Sequence, residues 1–382
     1  MNNIMVVYGT RPEGIKVASL IKEMERSEHL QPIIVSTGQH REMLDQVNRL
    51  FDIRPDVDLD IFEHGQTLNR IAMKIFDRLD PVLEEYQPDA LLVQGDTSTV
   101  AMAAIAAFYR EIPVIHLEAG LRSGNIHSPF PEEANRKLTS QIASLHLAPT
   151  AEAKTNLLRE AIDPSDVVVT GNTVIDALFY TLGEDISFDD VRLNDAVNSG
   201  KRILLVTSHR RENIGEPMMN IGRAVQRLAD MYPDDLVVFP IHRNPKVREL
   251  ILPALEGKEN VIVIDPLDYP QFTKMLSASH IVLTDSGGVQ EEAPSLGKPV
   301  LVLRENTERP EAVTAGTVKL IGTMEDSIVH EVQILKESAE IYGAMANAVN
   351  PYGDGHAAER CVAAISALLG EGERLPDFEP VN

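Results

Sequence analysis

The chain has 382 residues, of which 43% are apolar and 24% are charged, and its formal net charge is −23. This length exceeds what one compact core normally holds, so we expect a globular protein with two domains. The acidic balance argues against general binding to nucleic acid or to an anionic membrane, and no apolar run approaches the ~20 residues that a membrane span needs. Cys361 is the single cysteine, which excludes an intrachain disulfide; since no secretory leader pattern opens the chain, a cytoplasmic location is predicted.

Short apolar runs alternate with helical patterns through the first half of the chain. Strands are predicted over residues 4–8, 31–36, 90–94, 113–118, 144–148 and 167–170. Helices are predicted over residues 12–26, 41–50, 68–86, 97–110, 132–142 and 151–160. This alternation is typical of a parallel sheet whose strands are joined by crossover helices.

The same pattern starts again in the second half, with strands predicted over residues 202–207, 236–240, 261–264, 281–284 and 300–303. We therefore predict an α/β protein with two Rossmann-like domains, over residues 1–171 and 172–355. A last helix near residues 356–369, with the tail to residue 382, is expected to return to the first domain. Because doubly wound sheets bind ligands beyond the carboxyl ends of their strands, the ligand is expected in a cleft between the domains.

A loop in the second half has the features of a nucleotide site. Ser286, Gly287 and Gly288 follow the predicted strand over residues 281–284 and lead into a helix. Ser286 can cap that helix, and the glycines let bare backbone N–H groups approach a phosphate closely. Glu292 lies about two turns further on, where its carboxylate can accept hydrogen bonds from two ribose hydroxyls. An ordinary strand-to-helix turn is the alternative interpretation.

Charged residues follow the predicted strands of the first half. Arg11 and Lys16 come after the first strand, whereas Asp96, Glu118 and Glu132 come after later ones. Crowded carboxylates raise one another's pKa, which permits acid and base roles near neutral pH. The alternatives are surface cations for the first two and helix caps for Asp96 and Glu132. Glu118 is harder to explain in that way, because a carboxylate ending an apolar strand must be paired.

A histidine stands at the first strand end of the second half. His209 is followed by Arg210 and Arg211, so it can donate to a phosphate or move a proton, unless it merely caps a polar turn. Cations and a glycine loop in one domain can hold a diphosphate while carboxylates in the other face the group it carries. That division predicts a nucleotide-sugar ligand. No metal-ligand spacing, GxGxxG motif or Walker A motif is present in the sequence.

Taken together, these segments resemble the non-hydrolysing UDP-N-acetylglucosamine 2-epimerases over essentially the whole length of the chain. No single segment decides the resemblance, but the set in this order is specific. The segments are Gly9-Thr-Arg-Pro-Glu13, Thr37-Gly-Gln-His-Arg-Glu-Met43, Gln94-Gly-Asp-Thr97, His116-Leu-Glu-Ala-Gly-Leu-Arg-Ser123, Pro131-Glu-Glu-Ala-Asn-Arg136, His209-Arg-Arg-Glu-Asn213, Thr284–Leu296 and Glu308-Arg-Pro-Glu311.

The resemblance implies a fold like that of the two-Rossmann glycosyltransferases, assembled as a homodimer. It also implies interconversion of UDP-GlcNAc and UDP-ManNAc without an organic cofactor or a metal. In this family a base takes the C2 proton while UDP leaves C1, and UDP then adds back to the enzyme-bound 2-acetamidoglucal with C2 inverted. The resemblance further implies that the product supplies ManNAc units for cell-surface polysaccharide.

The resemblance also assigns roles to individual positions. By it, the catalytic positions are Asp96, Glu118, Glu132 and His209. The substrate-binding positions are Arg11, Lys16, Leu267, Phe272, Ser286, Gly287, Gly288, Glu292 and Arg309, of which Leu267 and Phe272 line the uracil. Which carboxylate is the base stays open.

A second UDP-GlcNAc site, which activates many bacterial members of this family, is matched in part. The matching positions are Gln39, His40, Gln66 and His242. Glu42 and Gly65 stand where some regulated members have Gln and Arg. Loss of a cation at position 65 weakens the case for tight effector binding, so allosteric activation is a hypothesis.

Three other functions fit parts of the pattern. A glycosyltransferase on the same fold would use the UDP site but need an acceptor, and a hydrolysing epimerase would release free ManNAc. A UDP-sugar sensor would bind without turnover. The carboxylates at the sugar end favour proton transfer over these alternatives.

Overall fold

The structure, a computed structural model, describes residues 1–38 and 41–380, and residues 41–43 are described by their backbone alone. The chain divides into two compact units. The first comprises Met1–Tyr180 and Tyr352–Glu379, and the second comprises Thr181–Pro351 with Pro380. The division therefore falls at Tyr180, within a helix that begins at Thr173, whereas the sequence places a boundary near Gly171.

The first unit is built on a parallel sheet. In the described part of the chain its order is β3-β2-β1-β4-β5-β6-β7. The strands are β1 (Asn2–Tyr8), β2 (Leu30–Ser36), β3 (Val57–Asp58), β4 (Ala90–Gln94), β5 (Val114–Leu117), β6 (Leu145–Ala148) and β7 (Val167–Val169). The order reverses between β1 and β4, as in Rossmann folds, so a crevice opens beyond their carboxyl ends.

Helices connect these strands. They are α1 (Arg11–Arg26), α2 (Arg41–Leu50), α3 (Leu68–Tyr86), α4 (Ser98–Tyr109), α5 (Glu132–Ile142), α6 (Ala151–Arg159) and α7 (Thr173–Leu182). A C-terminal helix over Ala357–Leu368 packs against α1 within the first unit. Buried Asp176 of α7 accepts hydrogen bonds from the N–H groups of Ala357 and Ala358, so it stabilises the start of that helix.

The second unit repeats this plan. Among the described residues its sheet has the order β10-β9-β8-β11-β12-β13. The strands are β8 (Ile203–Thr207), β9 (Leu236–Pro240), β10 (Val261–Ile264), β11 (Ile281–Thr284), β12 (Val300–Val302) and β13 (Val318–Leu320). The helices are α8 (Val191–Asn198), α9 (Glu216–Met231), α10 (Pro245–Leu255), α11 (Tyr269–Ala278), α12 (Gly287–Glu292), α13 (Pro310–Thr314), α14 (Glu325–Glu337) and α15 (Ala339–Ala346), and the C-terminal helix above is α16.

The burial of the strands explains why they could be predicted from the sequence. Central strands such as β4 are buried along their whole length, since helices cover both faces of a parallel sheet. They therefore appear as continuous apolar runs rather than as alternating ones. The predicted α/β class with two Rossmann-like, glycosyltransferase-B-like domains is confirmed.

Several elements were not predicted, among them β3, β13, α8 and the helices α13, α14 and α15. β3 has two residues and β13 has three, which is too short to stand out as an apolar run. Lys319 in β13 is also exposed. α8 lies within the polar stretch of residues 183–200, where only Leu193 and Ala196 are buried among its residues. Such a helix has too narrow an apolar stripe to give a periodic signal.

Among the residues that the structure describes, no helix is long and apolar enough to cross a membrane.

Candidate active site

In the first unit, three neighbouring strands end at one edge of the sheet. The register pairs Val7 of β1 with Val93 of β4, and Gln94 of β4 with Leu117 of β5. The residues that follow these strands therefore come together. They include Lys16, Asp96 and Glu118, which lie far apart in the sequence.

Glu118 is held from several sides. Its carboxylate forms an ion pair with Lys16, accepts from Gln94 Nε2 at 2.6 Å and accepts from Asn172 Nδ2 at 3.2 Å. Its side chain is 11% exposed, and its backbone has a φ of +63°, which is uncommon outside glycine. Backbone strain of this kind persists only where the surroundings determine the conformation. The Glu118 carboxylate, which follows an apolar strand and would be costly to bury alone, is thus paired by neighbouring side chains.

Asp96 lies beside Glu118 in a partly buried position, with its side chain 24% exposed. Its carboxylate forms an ion pair with Arg136 of α5, and its backbone carbonyl accepts from Asn135 Nδ2 at 2.8 Å. Burial raises the pKa of Asp96 above its usual range; Arg136 opposes this rise, whereas the nearby charges of Glu118 and Glu132 add to it. Asp96 is therefore a stronger base than an exposed aspartate.

Glu132 is the first residue of α5, where a carboxylate also interacts favourably with the helix dipole. It is partly exposed and close enough for its charge to act on Asp96. The structure thus brings the three predicted carboxylates, Asp96, Glu118 and Glu132, into one electrostatic cluster. Arg11, at the first position of α1, is partly exposed, in the loop that follows β1.

A further carboxylate, that of Glu13, holds together the turns that carry this cluster. Glu13 is buried, and it accepts from the N–H groups of Gly9 at 2.7 Å and Thr10 at 2.8 Å, and from the Thr97 hydroxyl. It therefore ties the turn after β1 to the turn after β4. Burial raises its pKa. Sequence reasoning assigned Glu13 no role, although Thr10 followed three residues later by a glutamate is a capping-box signal.

In the second unit, the corresponding strands are β8 and β11. Thr207 and Thr284, their last residues, are register partners whose hydroxyls lie 2.7 Å apart. The loop from Ser208 to Arg210 and the loop that begins at Asp285 therefore lie side by side at the point where the strand order reverses.

Asp285 organises these two loops. It has no exposed surface, and its carboxylate accepts from Ser208 Oγ at 2.9 Å and from Asn213 Nδ2 at 3.0 Å. It also accepts from the backbone N–H groups of His209 at 3.0 Å and Arg210 at 2.9 Å. A buried carboxylate with this many donors holds its surroundings rigidly.

His209 is oriented by the same carboxylate. Its Nδ1 lies 3.3 Å from Asp285 Oδ1, and its ring stacks at 6.1 Å on the ring of His242. The His209 side chain is 44% exposed, so the ring is accessible from solvent. Burial of the ring lowers the pKa of His209, although Asp285 opposes this. The lowered pKa favours the neutral imidazole, and the Nδ1 side of the ring faces Asp285.

The predicted phosphate loop begins α12. Ser286 stands at the N-cap position, but its side chain makes no capping hydrogen bond, so the predicted capping role is wrong. α12 is also short, with a 3₁₀ turn from Ala293. A Cβ added to Gly287 would lie 2.7 Å from the guanidinium of Arg309, so any larger residue there would displace that side chain. Arg309 thus lies over the loop, with its Nε donating to Glu291 at 2.7 Å.

Glu292 occupies the end of α12. It is buried, and the Tyr269 hydroxyl donates to its carboxylate at 2.9 Å. Tyr269 begins α11, and Phe272 lies one turn further along the same helix, with Leu267 just before it. Phe272 and Leu267 are both partly buried. The predicted ribose and uracil positions therefore share a region, and Tyr269 is a contact that sequence reasoning missed.

The family model described as UDP-N-acetylglucosamine 2-epimerase matches residues 22–366. This chain belongs to the UDP-N-acetylglucosamine 2-epimerase family. The match covers both units and spans all of the strands after β1.

Relatives of nearly equal length support the assignment to the 2-epimerase family. The UDP-N-acetylglucosamine 2-epimerase of Escherichia coli K12 is 48% identical over 367 residues, which cover 95% of this chain and 98% of the relative. The Neisseria meningitidis UDP-GlcNAc 2-epimerase, solved bound to UDP-GlcNAc, is 47% identical, with a TM-score of 0.85 and coverage of 97% and 100%. The Methanocaldococcus jannaschii enzyme, solved with UDP-GlcNAc and UDP, is 34% identical, with a TM-score of 0.77 and coverage of 96% and 99%.

The predicted effector positions of this family member are only partly visible. Gln39 and His40 lie outside the described residues. Gln66 precedes α3, and in the part of the chain that the structure covers its buried Oε1 has no hydrogen-bond partner. His242 accepts a hydrogen bond from the Asn244 N–H through Nδ1 at 3.1 Å.

No group of three or more potential metal ligands occurs among the described residues of this 2-epimerase family member.

The role of Asp285 in this family member can be tested by Asp285→Asn. We expect a loss of stability of about 2–4 kcal/mol, because an amide cannot accept from every donor and leaves buried N–H groups unpaired. Ser208→Ala is the matched control, since it removes a single partner of the same carboxylate and should cost about 1 kcal/mol. Urea denaturation of the two variants provides the measurement. Equal losses would contradict a special role for the carboxylate.

Proposed function

We propose that the protein interconverts UDP-GlcNAc and UDP-ManNAc by inverting C2, without hydrolysing the nucleotide-sugar. The observation that carries this proposal is the cluster of Asp96, Glu118 and Glu132, held at one sheet edge with Lys16 and Arg136. Epimerisation needs proton removal on one face of C2 and proton return on the other. More than one well-placed carboxylate therefore suits it better than simple group transfer does.

The residues of the second unit suit the nucleotide part of this substrate. Arg309 and the backbone of Gly287 and Gly288 would bind the diphosphate, and Glu292 would accept from the ribose hydroxyls. Tyr269 already holds the Glu292 carboxylate in place. Membership of the family, and the UDP-GlcNAc bound by the Neisseria meningitidis relative, support this assignment.

In the proposed reaction, elimination comes first. A carboxylate takes the C2 proton while the C1–O bond to UDP breaks, which leaves 2-acetamidoglucal. The C2 proton is weakly acidic, so the base must be close and its pKa raised, as burial raises that of Asp96. Negative charge develops on the departing UDP, and Arg309 and His209 would stabilise it. UDP then adds back to C1 while a proton returns to the opposite face of C2.

This proposal extends to the cellular role. The product would supply ManNAc units for cell-surface polysaccharide, and the protein would act in the cytoplasm. Family membership supports both statements.

The decisive experiment is incubation of the purified protein with UDP-GlcNAc alone in D₂O, followed by NMR of the anomeric and C2 protons. We expect UDP-ManNAc to appear with deuterium at C2. Free ManNAc would instead identify a hydrolysing epimerase, and turnover that requires an added acceptor would identify a glycosyltransferase. Binding of UDP-GlcNAc without any conversion would indicate a sensor.

The three carboxylates can be tested singly. Asp96→Asn, Glu118→Gln and Glu132→Gln should each lower kcat by ~10²-fold or more, which is the usual scale of general acid–base effects. UDP binding, measured by calorimetry, should largely survive, because these side chains lie in the other unit from the phosphate loop. Glu152→Gln is the control, since Glu152 is half exposed on α6. Near-normal turnover in all three variants would contradict the assignment.

We also propose that the protein is a homodimer. A groove between α3 and α4 is lined by Met73, Phe76, Ala106 and Tyr109, with Asp77 and Asp80 beside them, and Tyr109 is 77% exposed. Exposed apolar patches of this kind commonly mark protein–protein contacts. Light scattering should give about twice the chain mass of 42.1 kDa.

The variant Tyr109→Glu should shift the protein towards the monomer, because it places a charge in an apolar contact. Val191→Glu changes an apolar residue of the second unit that is also well exposed, at 65%, and should leave the mass unchanged. A wild-type protein that is monomeric at micromolar concentration would refute the dimer.

A further inference from the structure

One buried polar side chain of the first unit has no role in the chemistry above. His116 lies in β5, two positions before Glu118, and has no exposed surface. Burying a polar ring in the middle of a strand lowers the stability of the fold unless the ring forms hydrogen bonds there. The hydrogen bonds of the His116 ring therefore indicate the role of this residue.

The imidazole of His116 has a defined tautomer. Its Nε2 lies 2.7 Å from the carbonyl oxygen of Gly95. A carbonyl oxygen can only accept, so Nε2 carries the proton and donates it. Burial lowers the pKa of His116 to about 3, which keeps the ring neutral in the physiological range. Within residues 1–38 and 41–380, Nδ1 has no hydrogen-bond partner, so the Gly95 contact is the polar contact of this ring.

Gly95 is thereby held by β5 at both of its backbone groups. Its N–H donates to the carbonyl of Leu117 at 3.0 Å, and its carbonyl accepts from the neighbouring His116 ring. Gly95 has a φ of +84°, so the chain turns sharply here as it leaves β4. The direction of the next peptide is set by these two contacts.

The next residue is Asp96. Its carbonyl accepts from Asn135 Nδ2, and its carboxylate is paired with Arg136, both on α5. Contacts to β5 therefore position the backbone just before Asp96. Contacts to α5 position the carbonyl and the carboxylate of Asp96 itself. Loss of the His116 contact would remove one of the two hydrogen bonds that hold the turn on β5 and would leave the contacts to α5 in place.

We propose that His116 is a positioning residue that fixes the Gly95 turn and so sets the place of the Asp96 carboxylate. His116 does not touch the reacting atoms and acts through Gly95. The expected effect on catalysis rests on the function proposed above, whereas the effect on Asp96 itself does not.

The titration of Asp96 reports its position, because charged groups surround it on several elements. Arg136 and Glu132 face it from α5, Lys16 and Glu13 from α1, and Glu118 from the end of β5. Among these, Arg136 is the strongest influence that favours the charged form. If the turn relaxes and the carboxylate moves away from Arg136 while it stays equally buried, its pKa rises and its titration moves to higher pH.

The chain offers a matched control in His146. It is the register partner of His116 on β6, it is also buried, and its Nδ1 also has no hydrogen-bond partner in the described structure. Among the described residues, His146 makes no hydrogen bond to Gly95, whose carbonyl pairs with His116. His116→Leu and His146→Leu therefore remove similar rings from similar depths, but only the first removes the donor to Gly95.

The test is a ¹³C NMR titration of the Asp96 carboxyl, with kcat and KM for UDP-GlcNAc measured alongside. In His116→Leu, Asp96 should titrate at higher pH, and kcat should fall by roughly 10–100-fold while KM changes by less than about 3-fold. His146→Leu should leave the titration of Asp96 and kcat near those of the wild type. In His116→Gln the side-chain amide can donate to the Gly95 carbonyl. This variant should therefore bring both the Asp96 titration and kcat most of the way back to the wild-type values.

Should His116→Leu fail to fold, His116→Asn replaces it, because its amide is too short to reach Gly95. An unchanged Asp96 titration in the variant, or the same shift in the His146 control, would overturn the inference even if the wild type epimerises its substrate. If the wild type does not epimerise UDP-GlcNAc, the proposed function fails, while the Asp96 titration still decides the role of His116.

Discussion

A carboxylate at the end of a buried parallel strand must be paired, and much of this structure follows from that constraint. Glu118 ends β5 and is satisfied by Lys16, Gln94 and Asn172, which come from α1, β4 and the turn before α7. Each partner can reach it only if the strands keep their order and register. Stability and site geometry therefore depend on the same contacts, and the strained backbone of Glu118 is held by them.

Each unit places a carboxylate just after a strand of its sheet, but the two carboxylates, Asp285 and Asp96, have different roles. In the second unit, Asp285 is saturated by donors from the β8 loop, so it serves as an anchor and leaves His209 to face outward. In the first unit, burial and the nearby charges of Glu118 and Glu132 raise the pKa of Asp96, although Arg136 opposes this rise, so Asp96 is suited to act as a base. In both units the site residues follow the carboxyl ends of parallel strands, and the surroundings of each carboxylate decide whether it acts as an anchor or as a base.

Much of the fold was predictable because parallel strands are buried on both faces. The bounds of α2, α3, β4, α5, β9, β10 and β11 agree residue for residue with the predicted ones. Prediction failed where local signals are weak, as for β3 and β13, or where a local rule has an exception, as for the Ser286 cap. Burial of Glu13 and the Tyr269 contact to Glu292 depend on packing between distant segments, which no local pattern contains.

By itself, the sequence determined the α/β class, the family resemblance and the positions that carry charge at strand ends, because these depend on residue type and spacing. Only the tertiary structure decided which charges meet. The ion pair of Asp96 with Arg136, the tautomer of His116 and the donors around Asp285 all join residues more than 20 positions apart. Such contacts are set by strand order and register, which are collective properties of the folded sheet.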